Sequence, residues 1–496
     1  MKILFVCSED KWLGIGYLSS YLKKYGHKTY LLFDPMFFNK AYIRNQKLKN
    51  LFSKNSMFLK KIKEITPDLI GFSVVTANYQ WALEKADLFK KHFHIPIIFG
   101  GPHPTVVPEE VISNPQVDMI ALGEAEESLL ELMNTRLQKR NIRGIWFKEG
   151  EEIIKNSLPE LEVNLDKYPF PDEDLFYEQL PPSYRISPSV LTSRGCPFSC
   201  TYCGNQVMKK LYKDSGSLHW VRQRSVKNVI AELLWRKNVY KSKHFVFMDD
   251  IFSLDIDWLR EFSKDYQKKI NLPFNCLAHP SLTKEETVKL LKDAGCTLVD
   301  FGLQTGCSEI RKTVLDRGEK NEQVLKITKA CRKYGLNFAV DCILNLPMDS
   351  EKTIKESINF FNIIHPHIIN CFRLLYFPGT KIVEIGKKAG LINESDVDMI
   401  NKGKKNRYSS IGITGKDDSF GDYQKYAFLI TCLPLLPKKW VRKIINSKFL
   451  FTAFQRIPYF LLPFVKVIVQ LKAGFGLIFF SVIKNEMFYF KNFFRD

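Results

Sequence analysis

The chain has 496 residues and carries 73 Lys and Arg against 53 Asp and Glu, a formal net charge of +20 at pH 7. This length is too great for one ordinary core and predicts about three domains. With 45% hydrophobic and 25% charged residues, the composition excludes wholesale disorder, collagen-like repeats and a coiled coil. The positive charge indicates an anionic partner, and nucleic acid, a membrane surface and a phosphorylated substrate all qualify.

The cysteines indicate a reducing compartment. They number 11 and are spread along the chain, without the even-numbered framework of a secreted disulfide-bonded protein. The apolar run at residues 1–7 is too short for a signal peptide, and no cleavage-like site follows it. We therefore predict a cytoplasmic protein.

The first 140 residues predict an open parallel sheet. Short apolar runs bounded by turn residues alternate with helical spacers, as in successive βαβ units, at residues 1–7, 29–33, 68–74, 95–99 and 117–122. Ligands of such sheets bind at the carboxyl ends of the strands, where glycines let a bulky ligand approach the backbone. The candidate contact residues there are Gly71, Ser73, Gly100, Gly101, His103, Gly123 and Glu124.

The strand-end motifs resemble a known cofactor-binding domain. Residues 100–105 (Gly-Gly-Pro-His-Pro-Thr) and 123–126 (Gly-Glu-Ala-Glu), together with residues 14–18 and 68–73, are similar to the cobalamin-binding domain that precedes the catalytic domain in many radical S-adenosylmethionine (SAM) enzymes. The resemblance implies a Rossmann-like fold whose strand-end loops line the nucleotide tail of cobalamin. It also implies that His103 is a loop or tail contact rather than a metal ligand.

One loop departs from the mutase-type cobalamin domains. Those domains carry Asp-x-His-x-x-Gly after the first strand, and the histidine is the lower ligand of cobalt. Residues 10–14 of this chain are Asp-Lys-Trp-Leu-Gly and contain no histidine. The resemblance therefore implies a cobalt without a histidine ligand from this loop, and the alternative is a Rossmann-like domain that has lost its ligand.

Residues 141–188 predict a linker. A hairpin is expected over residues 141–155 with its turn at Glu149-Gly150, and prolines at positions 169, 171, 181 and 182 interrupt the rest. We accordingly divide the chain into a cobalamin-binding domain (1–140), the linker (141–188), a catalytic domain (189–400) and a C-terminal region (401–496).

The most informative motif is a cysteine triplet. Cys196, Cys200 and Cys203 form a C-x₃-C-x₂-C array directly after a strand-like run. A [4Fe–4S] cluster is normally held by four thiolates, so three cysteines leave one iron open to a small chelating ligand. Zinc or three inert thiols are the alternatives, but zinc sites usually add a second pair of ligands, and the remaining cysteines form no such pair.

The triplet resembles the radical SAM motif. In that family the amino and carboxylate groups of SAM occupy the open iron, and one-electron reduction through the cluster cleaves SAM to a 5′-deoxyadenosyl radical. The resemblance implies that Cys196, Cys200 and Cys203 are the catalytic cluster ligands and that Tyr202 lies near the adenine of SAM. It also implies an electron donor such as flavodoxin or ferredoxin.

After the triplet the chain repeats strand-then-helix units. Six strands are predicted at residues 190–193, 244–248, 273–277, 298–303, 338–344 and 368–376. They indicate a partial (β/α)₆ barrel, related to the TIM barrel, with active residues at the C-terminal strand ends. The predicted fold class is therefore α/β in both domains, followed by a mostly helical C-terminal region.

Polar residues follow three of these strands. Asp249 and Asp250 follow the second strand, where the resemblance implies contact with the methionine part of SAM, although paired acids also cap helices. Gln304 ends the fourth strand, where many relatives have Glu-Ser, which weakens the transfer of a ribose contact. Asn345 and Met348 follow the fifth strand in place of the usual glycines, which leaves the shape of that turn open.

The last 66 residues, 431–496, concentrate charge and aromatic side chains: 11 Lys and Arg, two acids and 12 of the 39 Phe. The longest apolar segment, residues 458–483, is broken by Pro463, Lys466 and Lys472, so no membrane-spanning helix is predicted. The pattern fits amphipathic helices on an anionic membrane, or a helical subdomain packed on the barrel with its lysines outward. Nucleic acid is disfavoured, because binding it does not require so many Phe, Ile and Leu.

The resemblance covers about residues 1–400 and implies a cobalamin-dependent radical SAM enzyme. The leading hypothesis is methyl transfer to an unactivated carbon of a small molecule, for which the apolar C-terminal region suggests a lipid-like compound. A close alternative is oxidation or cyclisation, as in the anaerobic magnesium-protoporphyrin monomethyl ester cyclase. A tRNA methylthiolase is disfavoured because its N-terminal domain carries a second cysteine set, whereas this one has Cys7 alone. A non-enzymatic cofactor sensor is a further alternative.

Overall fold

The computed structural model contains two mainly parallel β-sheets, a linker between them and a helical C-terminal region. The structure describes residues 1–8, 12–36, 39–40, 43–44, 54–404, 421–458, 461–474, 485 and 488. Residues 9–11, which belong to the loop without histidine, lie outside the described residues. So does much of the predicted C-terminal helical region, including residues 405–420 and 475–484.

The first sheet comprises β1 (Lys2–Ser8), β2 (Lys28–Asp34), β5 (Leu69–Ser73), β6 (Ile97–Gly100), β7 (Met119–Ala121), β8 (Ile145–Glu149) and β9 (Glu152–Ile154); β3 (Asn39–Lys40) and β4 (Ile43–Arg44) pair separately. Its strand order is β2-β1-β5-β6-β7-β8-β9, and the first five strands in that order are parallel. These five strands confirm the five apolar runs expected from the sequence.

The predicted hairpin is part of this sheet rather than of the linker. β8 pairs antiparallel with β7, and β9 pairs antiparallel with β8. Without the hairpin, β7 would leave its backbone donors and acceptors unpaired at the sheet edge. The hairpin therefore extends the first domain in space beyond residue 140.

Helices cover both faces of the first sheet: α1 (Leu13–Lys24), α2 (Asn55–Ile65), α3 (Tyr79–Lys90), α4 (Pro102–Val106), α5 (Pro108–Ile112) and α6 (Glu126–Asn134). Successive residues of β1 enter two different buried clusters: Ile3 and Phe5 belong to one, and Leu4 and Val6 belong to the other. Because side chains alternate along a strand, these clusters lie on opposite faces. The strand is apolar throughout since both of its faces are covered.

The linker is fastened to the second domain by buried ion pairs. It contains α7 (Asp174–Tyr177) and α8 (Ser183–Ile186), and Glu173 immediately precedes α7. The Glu173 carboxylate lies 2.9 Å from the guanidinium of Arg236, which is also 2.6 Å from Glu232, and all three side chains are fully buried. This contact fixes the linker against the helix that carries Arg236.

The second sheet forms the partial barrel. Its strands are β10 (Ser189–Val190), β13 (Phe245–Phe247), β14 (Phe274–Ala278), β15 (Cys296–Gln304), β16 (Asn337–Leu344) and β17 (Ile368–Arg373). They pair in chain order and all are parallel, which confirms the six predicted strands. β10 is shorter than expected because Ser193 and Arg194 form a separate strand, β11 (Ser193–Arg194), paired antiparallel with β12 (Arg222–Gln223).

Helices alternate with the barrel strands: α9 (Gly204–Asp214), α10 (Val226–Val239), α11 (Ile256–Lys269), α12 (Glu285–Ala294), α13 (Ser308–Thr313), α14 (Asn321–Lys333), α15 (Glu351–Ile364), α16 (Lys381–Lys388) and α17 (Glu394–Asn401). A single large core joins the barrel strands to α10, α11, α12, α14 and α15 and reaches into the C-terminal region. The α/β fold class, with a barrel after a Rossmann-like domain, is confirmed.

The C-terminal region is helical where it is described. Its helices are α18 (Gly421–Cys432), α19 (Lys438–Asn446), α20 (Lys448–Gln455) and α21 (Leu462–Lys472). α18 packs on β16 and β17, and α21 packs on α18. Among the residues that the structure describes, no helix is long and apolar enough to cross a membrane.

Candidate active site

The cysteine triplet lies in a loop between β11 and α9, at the mouth of the barrel. Cys203 is the residue directly before α9, and its backbone N–H donates to the carbonyl of Cys200 at 3.1 Å. The indole N–H of Trp220 donates to the carbonyl of Cys196 at 3.1 Å, and Lys209 donates to that of Pro197 at 2.6 Å. The loop is therefore held by its backbone, which leaves the three thiols for a ligand.

The other side of the loop is tied to the barrel. Both the backbone N–H and the hydroxyl of Thr201 donate to consecutive carbonyls, those of Leu315 at 3.1 Å and Val314 at 2.7 Å. The backbone N–H of Ile382 donates to the Thr201 carbonyl at 2.9 Å. These bonds fix the central residue of the triplet loop against segments that follow β15 and β17.

Arg317 places a positive charge beside the triplet. Its Nη1 lies 3.5 Å from Cys200 Sγ and 3.4 Å from the Tyr202 hydroxyl, and its Nε is 2.7 Å from the Glu319 carboxylate. Its Nη2 also donates to the carbonyl of Gly302 near the end of β15. One buried guanidinium thus connects the cysteine loop and the adjacent Tyr202 to the fourth strand of the barrel.

The three thiols are buried, and burial raises the pKa of each. Burial raises the pKa of Cys196 to about 12 and that of Cys203 to about 11, and burial outweighs the effect of Arg317 in raising the pKa of Cys200. Without a metal these groups are neutral thiols at pH 7, since a buried thiolate needs a compensating cation. Iron supplies that charge, so three buried thiols fit a cluster that binds them as thiolates.

A zinc ion and an iron–sulfur cluster require different arrangements of the three cysteines. In the described part of the chain, no group of three or more His, Cys, Asp or Glu side chains is close enough to hold a single metal ion. A zinc ion requires its ligands to converge on one point, whereas each cysteine of a cluster binds a separate iron. All 11 cysteines are free of disulfides, so the three thiols remain available.

Asp249 and Asp250 have different surroundings. Asp249 is fully buried, and one of its carboxylate oxygens accepts hydrogen bonds from the Thr192 N–H at 2.8 Å, the Thr192 hydroxyl at 2.9 Å and the Ser193 hydroxyl at 2.6 Å. Asp250 accepts from the Asn205 amide at 2.9 Å, and burial raises the pKa of both carboxyls. Asp249 therefore holds the segment before the triplet, and Asp250 contacts α9; their contact with SAM stays a prediction.

Three residues at the strand ends adopt left-handed backbone conformations without being glycine. Gln304, Asn345 and Met348 have φ angles of +68°, +63° and +67°. A register shift between β15 and β16 accompanies the first of them, where Gln304 is buried and follows Gly302. The turn after β16 thus keeps the conformation that glycines would favour, although the sequence left its shape open. Non-glycine residues in this region are strained, and such strain is typical of ligand-binding loops.

The candidate cobalamin contacts fall into two groups. Ser73, Gly100 and Gly101 lie at the carboxyl edge of the first sheet, where Gly101 has φ +109° and a Cβ would stand 2.7 Å from the Val74 carbonyl. Gly71 lies inside β5 instead, where a Cβ would meet the side chains of Phe5, Ile3 and Ile98 at 3.4–3.6 Å. The structure therefore brings three of these residues to the strand-end edge and leaves Gly71 within the sheet.

His103 is enclosed by its own domain and by α17. Its Nδ1 is 3.1 Å from the Thr76 hydroxyl, and its ring lies 4.3 Å from that of Tyr79. Burial lowers the pKa of His103 to about 4, against the effect of the Asn401 backbone, so the ring is neutral at pH 7. The expectation that His103 is a loop or tail contact rather than a metal ligand stays a prediction.

The carboxyl edge of the first sheet faces the cysteine domain. α4, which follows Gly101, packs against α9, which begins at the triplet. At Gly379 a Cβ would lie 3.3 Å from Val106 of α4 and 3.2 Å from Val207 of α9. This arrangement fits a ligand of the first domain placed toward the barrel mouth.

Gly123 and Glu124 contact the barrel domain directly. The Tyr212 hydroxyl of α9 accepts a hydrogen bond from the Glu124 backbone N–H at 2.8 Å, and it occupies the space that a Cβ on Gly123 would need. The Glu124 carboxylate pairs with Arg194 at 2.7 Å and with Arg222. These two candidate cobalamin contacts are therefore engaged across the domain boundary.

Four charged residues form an ion network across the boundary between the two domains: Glu124, Glu126, Arg194 and Arg222. Arg194 pairs with Glu124 and, at 2.7 Å, with Glu126, while its guanidinium lies over the rings of Tyr17 at 5.4 Å and Tyr168 at 5.2 Å. Sequence reasoning missed Arg194, Arg222 and Tyr212. Arg194 could have been noticed because it stands two residues before Cys196, but nothing in the sequence indicates a partner for the other two.

Comparison with protein families identifies both domains. Residues 5–133 match the B12 binding domain, and residues 190–361 match the radical SAM superfamily. The first range overlaps all five parallel strands of the first sheet, and the second contains the cysteine triplet. The chain therefore combines a B12-binding domain with a radical SAM domain; it is a radical SAM enzyme, and its cofactors are a [4Fe–4S] cluster, SAM and cobalamin.

Individual relatives include methyltransferases and a cyclase. An uncharacterized methyltransferase from Pyrococcus horikoshii is 26% identical over 335 residues, which cover 66% of this chain and 70% of the relative. The cytidylyl-2-hydroxyethylphosphonate methyltransferase of Streptomyces wedmorensis is 26% identical, with 68% and 69% covered. The anaerobic magnesium-protoporphyrin IX monomethyl ester cyclase of Cereibacter sphaeroides is 22% identical, with 75% and 59% covered.

A solved structure shares the fold. The radical SAM methyltransferase TsrM from Kitasatospora setae, determined with cobalamin and a [4Fe-4S] cluster bound, superposes with a TM-score of 0.62 at 18% identity and covers 78% of this chain and 75% of its own. The superposition confirms the fold class. The two domain matches confirm the family resemblance, the enzyme assignment and the cofactors expected from the sequence, and they set aside the non-enzymatic sensor. The assignments of individual cofactor contacts stay predictions.

Proposed function

We propose that this radical SAM enzyme is a cobalamin-dependent methyltransferase that acts on an unactivated carbon of a hydrophobic or natural-product-like small molecule. The observation that carries the proposal is the direct attachment of the cysteine loop to the carboxyl edge of the B12-binding domain through α9 and Arg194. A radical at a substrate carbon can accept a methyl group only if both cofactors reach that carbon, and this attachment supports such an arrangement.

The cofactors supply the bond-breaking chemistry: radical generation from SAM at the cluster, and a transferable methyl group at cobalamin. The chain supplies position and charge. Cys196, Cys200 and Cys203 hold the cluster, while Arg317 places its guanidinium beside Cys200 and Tyr202. Asp249 orients the segment before the loop through three hydrogen bonds.

The substrate class and the partners are finer parts of this proposal. A lipid-like or otherwise hydrophobic substrate is supported only by the apolar character of the C-terminal region, in which 12 of the last 66 residues are Phe. An electron donor such as flavodoxin or ferredoxin is required by the one-electron reduction of the cluster. We place the enzyme in the cytoplasm, with contact to the inner face of the membrane through residues 431–496.

The second candidate function is that of an oxidative cyclase, and this hypothesis has less support. The methyltransferase relatives are 26% identical to this chain, whereas the cyclase relative is 22% identical and is covered over only 59% of its length. The methyltransferase hypothesis and the cyclase hypothesis predict the same cluster and the same cleavage of SAM. They differ in whether SAM also serves as a methyl donor.

The test is anaerobic reconstitution of the full chain with iron and sulfide, followed by SAM and dithionite. We expect absorbance near 400 nm from the cluster, 5′-deoxyadenosine from radical cleavage and, when cobalamin is supplied, S-adenosylhomocysteine from methyl donation. Cobalamin that copurifies with the chain would further support the assignment. 5′-deoxyadenosine without S-adenosylhomocysteine would favour the cyclase reading instead.

Cysteine variants provide the matched controls. Cys196→Ala, Cys200→Ala and Cys203→Ala should each abolish the cluster absorbance or SAM cleavage. Cys331→Ala, a buried cysteine of α14 outside the loop, should retain both. Retention of both signals in any of the three loop variants would contradict the assignment of the triplet.

A further inference from the structure

The C-terminal helices stand in a part of the chain without acidic residues. From Tyr423 to Asn485 the sequence contains no Asp or Glu, although Asp and Glu together number 53 in the whole chain. Eight basic side chains of the described helices and their ends are exposed there: Lys425, Lys438, Lys439, Arg442, Lys443, Lys448, Arg456 and Lys472. The charges that this segment itself exposes are therefore all positive, unlike the mixed charge of an ordinary solvated face.

α21 is apolar on two faces, of which only one is covered. Val465 and Val469 pack against Leu298, Ala339 and Ile368 of the barrel strands. On the other side, Phe464, Ile468 and Leu471 recur at helical spacing and are 65%, 51% and 51% exposed. A surface helix normally presents polar residues to water, so this outward apolar face indicates a nonaqueous partner.

The neighbouring helices expose large aromatic side chains as well. Trp440 of α19 is 63% exposed and Phe449 of α20 is 80% exposed, while Val441 and Phe451 of the same helices are buried. α19 packs on α20, and both α20 and α21 pack on α18. We call Trp440, Phe449, Phe464, Ile468 and Leu471 the C-terminal patch. All five belong to the acid-free segment, so exposed apolar and exposed basic side chains occur on the same helices.

We propose that the C-terminal patch docks the enzyme on an anionic phospholipid bilayer, with the patch inserted among the acyl chains and the basic side chains at the headgroup phosphates. Charge complementarity favours a bilayer over a second copy of this chain, because two copies of a positive surface repel each other. The inference specifies the membrane contact of the proposed function but does not depend on catalysis.

The experiment measures cosedimentation of the full-length, cluster-loaded enzyme with phosphatidylcholine vesicles that contain either no phosphatidylglycerol or about 30% phosphatidylglycerol. We expect binding to the anionic vesicles and a decrease as salt is raised. The Phe449→Ser/Phe464→Ser double variant should lower vesicle affinity about tenfold, because two large side chains no longer enter the acyl region. The Lys438→Gln/Lys439→Gln/Lys443→Gln triple variant should lose most of the preference for anionic lipid.

The matched control is Leu218→Ser, which removes an 88% exposed side chain from the barrel domain and should leave vesicle binding unchanged. Cluster content and 5′-deoxyadenosine formation, measured in each variant, show that the fold is intact and test the catalytic proposal separately. Three results would overturn the inference. The first is no vesicle binding by the wild-type enzyme, and the second is unchanged binding by the Phe double variant. The third is that the wild-type enzyme is a dimer in solution and the Phe double variant, alone among the variants, is a monomer. The last result would identify the patch as an interface between copies.

Discussion

The ion network between the two domains gives the sharpest test of how the active site is assembled. Glu124 was a candidate cobalamin contact, yet its carboxylate pairs with Arg194 and Arg222 of the radical SAM domain. The perturbation is Glu124→Gln, which keeps the size of the side chain and removes its charge. Arg194 then keeps only Glu126 as a carboxylate partner. The Arg222 side chain, which is 2% exposed, loses its carboxylate partner and keeps only its hydrogen bond to the Glu162 carbonyl.

The expected loss of stability follows from this burial. Removing one partner of a buried ion pair costs about 3–5 kcal/mol, because the other charge stays desolvated. Glu124 is 21% exposed, so partial solvation places the Gln variant near the lower limit, at about 3 kcal/mol. The exposed pair of Arg143 and Glu160, with side chains 55% and 81% exposed, is the control. Glu160→Gln should cost less than about 1 kcal/mol.

The same network predicts a pH dependence. Burial would raise the pKa of Glu124, but the guanidinium groups of Arg194 and Arg222 outweigh burial and lower the pKa below its ordinary value of 4.5. A carboxyl whose pKa is lowered by folding stabilises the fold above its unfolded pKa, and the contribution disappears as the pH falls through the folded pKa. The stability difference between wild type and Glu124→Gln should therefore be full at pH 7 and decrease below about pH 4.5.

The assay is urea unfolding of the cobalamin-free protein, combined with cobalamin titration of each variant. A double-mutant cycle with Arg222→Met should give a coupling energy of at least about 1 kcal/mol, since the two side chains are in contact. A carboxylate that only contacted cobalamin would leave the stability of the cobalamin-free protein unchanged and reduce cobalamin affinity instead. That pattern, or a coupling energy near zero, would refute the reasoning.

Two further predictions concern the site itself. Gly101→Ala should destabilise the fold by at least about 2 kcal/mol in urea unfolding, because φ is +109° and the new Cβ would stand 2.7 Å from the Val74 carbonyl. The control is Gly150→Ala, where φ is +63° and the space is open. It should cost only about 1 kcal/mol in the same experiment. Arg317→Met should lower the free energy of unfolding by about 3–5 kcal/mol, because Glu319 stays buried without its partner, and it should lower the iron content per chain. The control is Arg260→Met at an exposed ion pair. It should change neither the unfolding midpoint nor the iron content appreciably.

The strands of both sheets could be predicted because burial on two faces leaves continuous apolar runs in the sequence. The six barrel strands and the five parallel strands of the first sheet were found in this way. The first barrel strand was the exception, since Ser193 and Arg194 pair with β12 rather than continuing β10. That antiparallel contact depends on residues about 30 positions away, and no local pattern reports it.

The site could be predicted where the chemistry is local and not where it depends on distant partners. Cys196, Cys200 and Cys203 are recognisable because their spacing alone defines a ligand set. Glu124 was recognised as a strand-end residue, but its partners lie 70 and 98 positions later in the chain. Its position at a strand end was therefore predictable, whereas its ion pairs were not.

The left-handed backbone of Asn345 and Met348 also could not be predicted from the local sequence. Asn345 and Met348 stand where the family resemblance implies glycines, and both adopt positive φ angles near those that glycine favours. Asparagine tolerates this conformation, but methionine is strained in it, so the surrounding barrel holds the turn at Met348. Strain of this kind is retained where a fixed backbone is useful, and here it adjoins the strand end that carries Gln304 and, through Gly302, Arg317. The cysteine loop, the fourth and fifth strands and the edge of the B12-binding domain are thus held by contacts that span the whole chain. Such contacts suit a reaction in which two cofactors must meet one substrate carbon, because an error of about 1 Å in their alignment is costly to the rate.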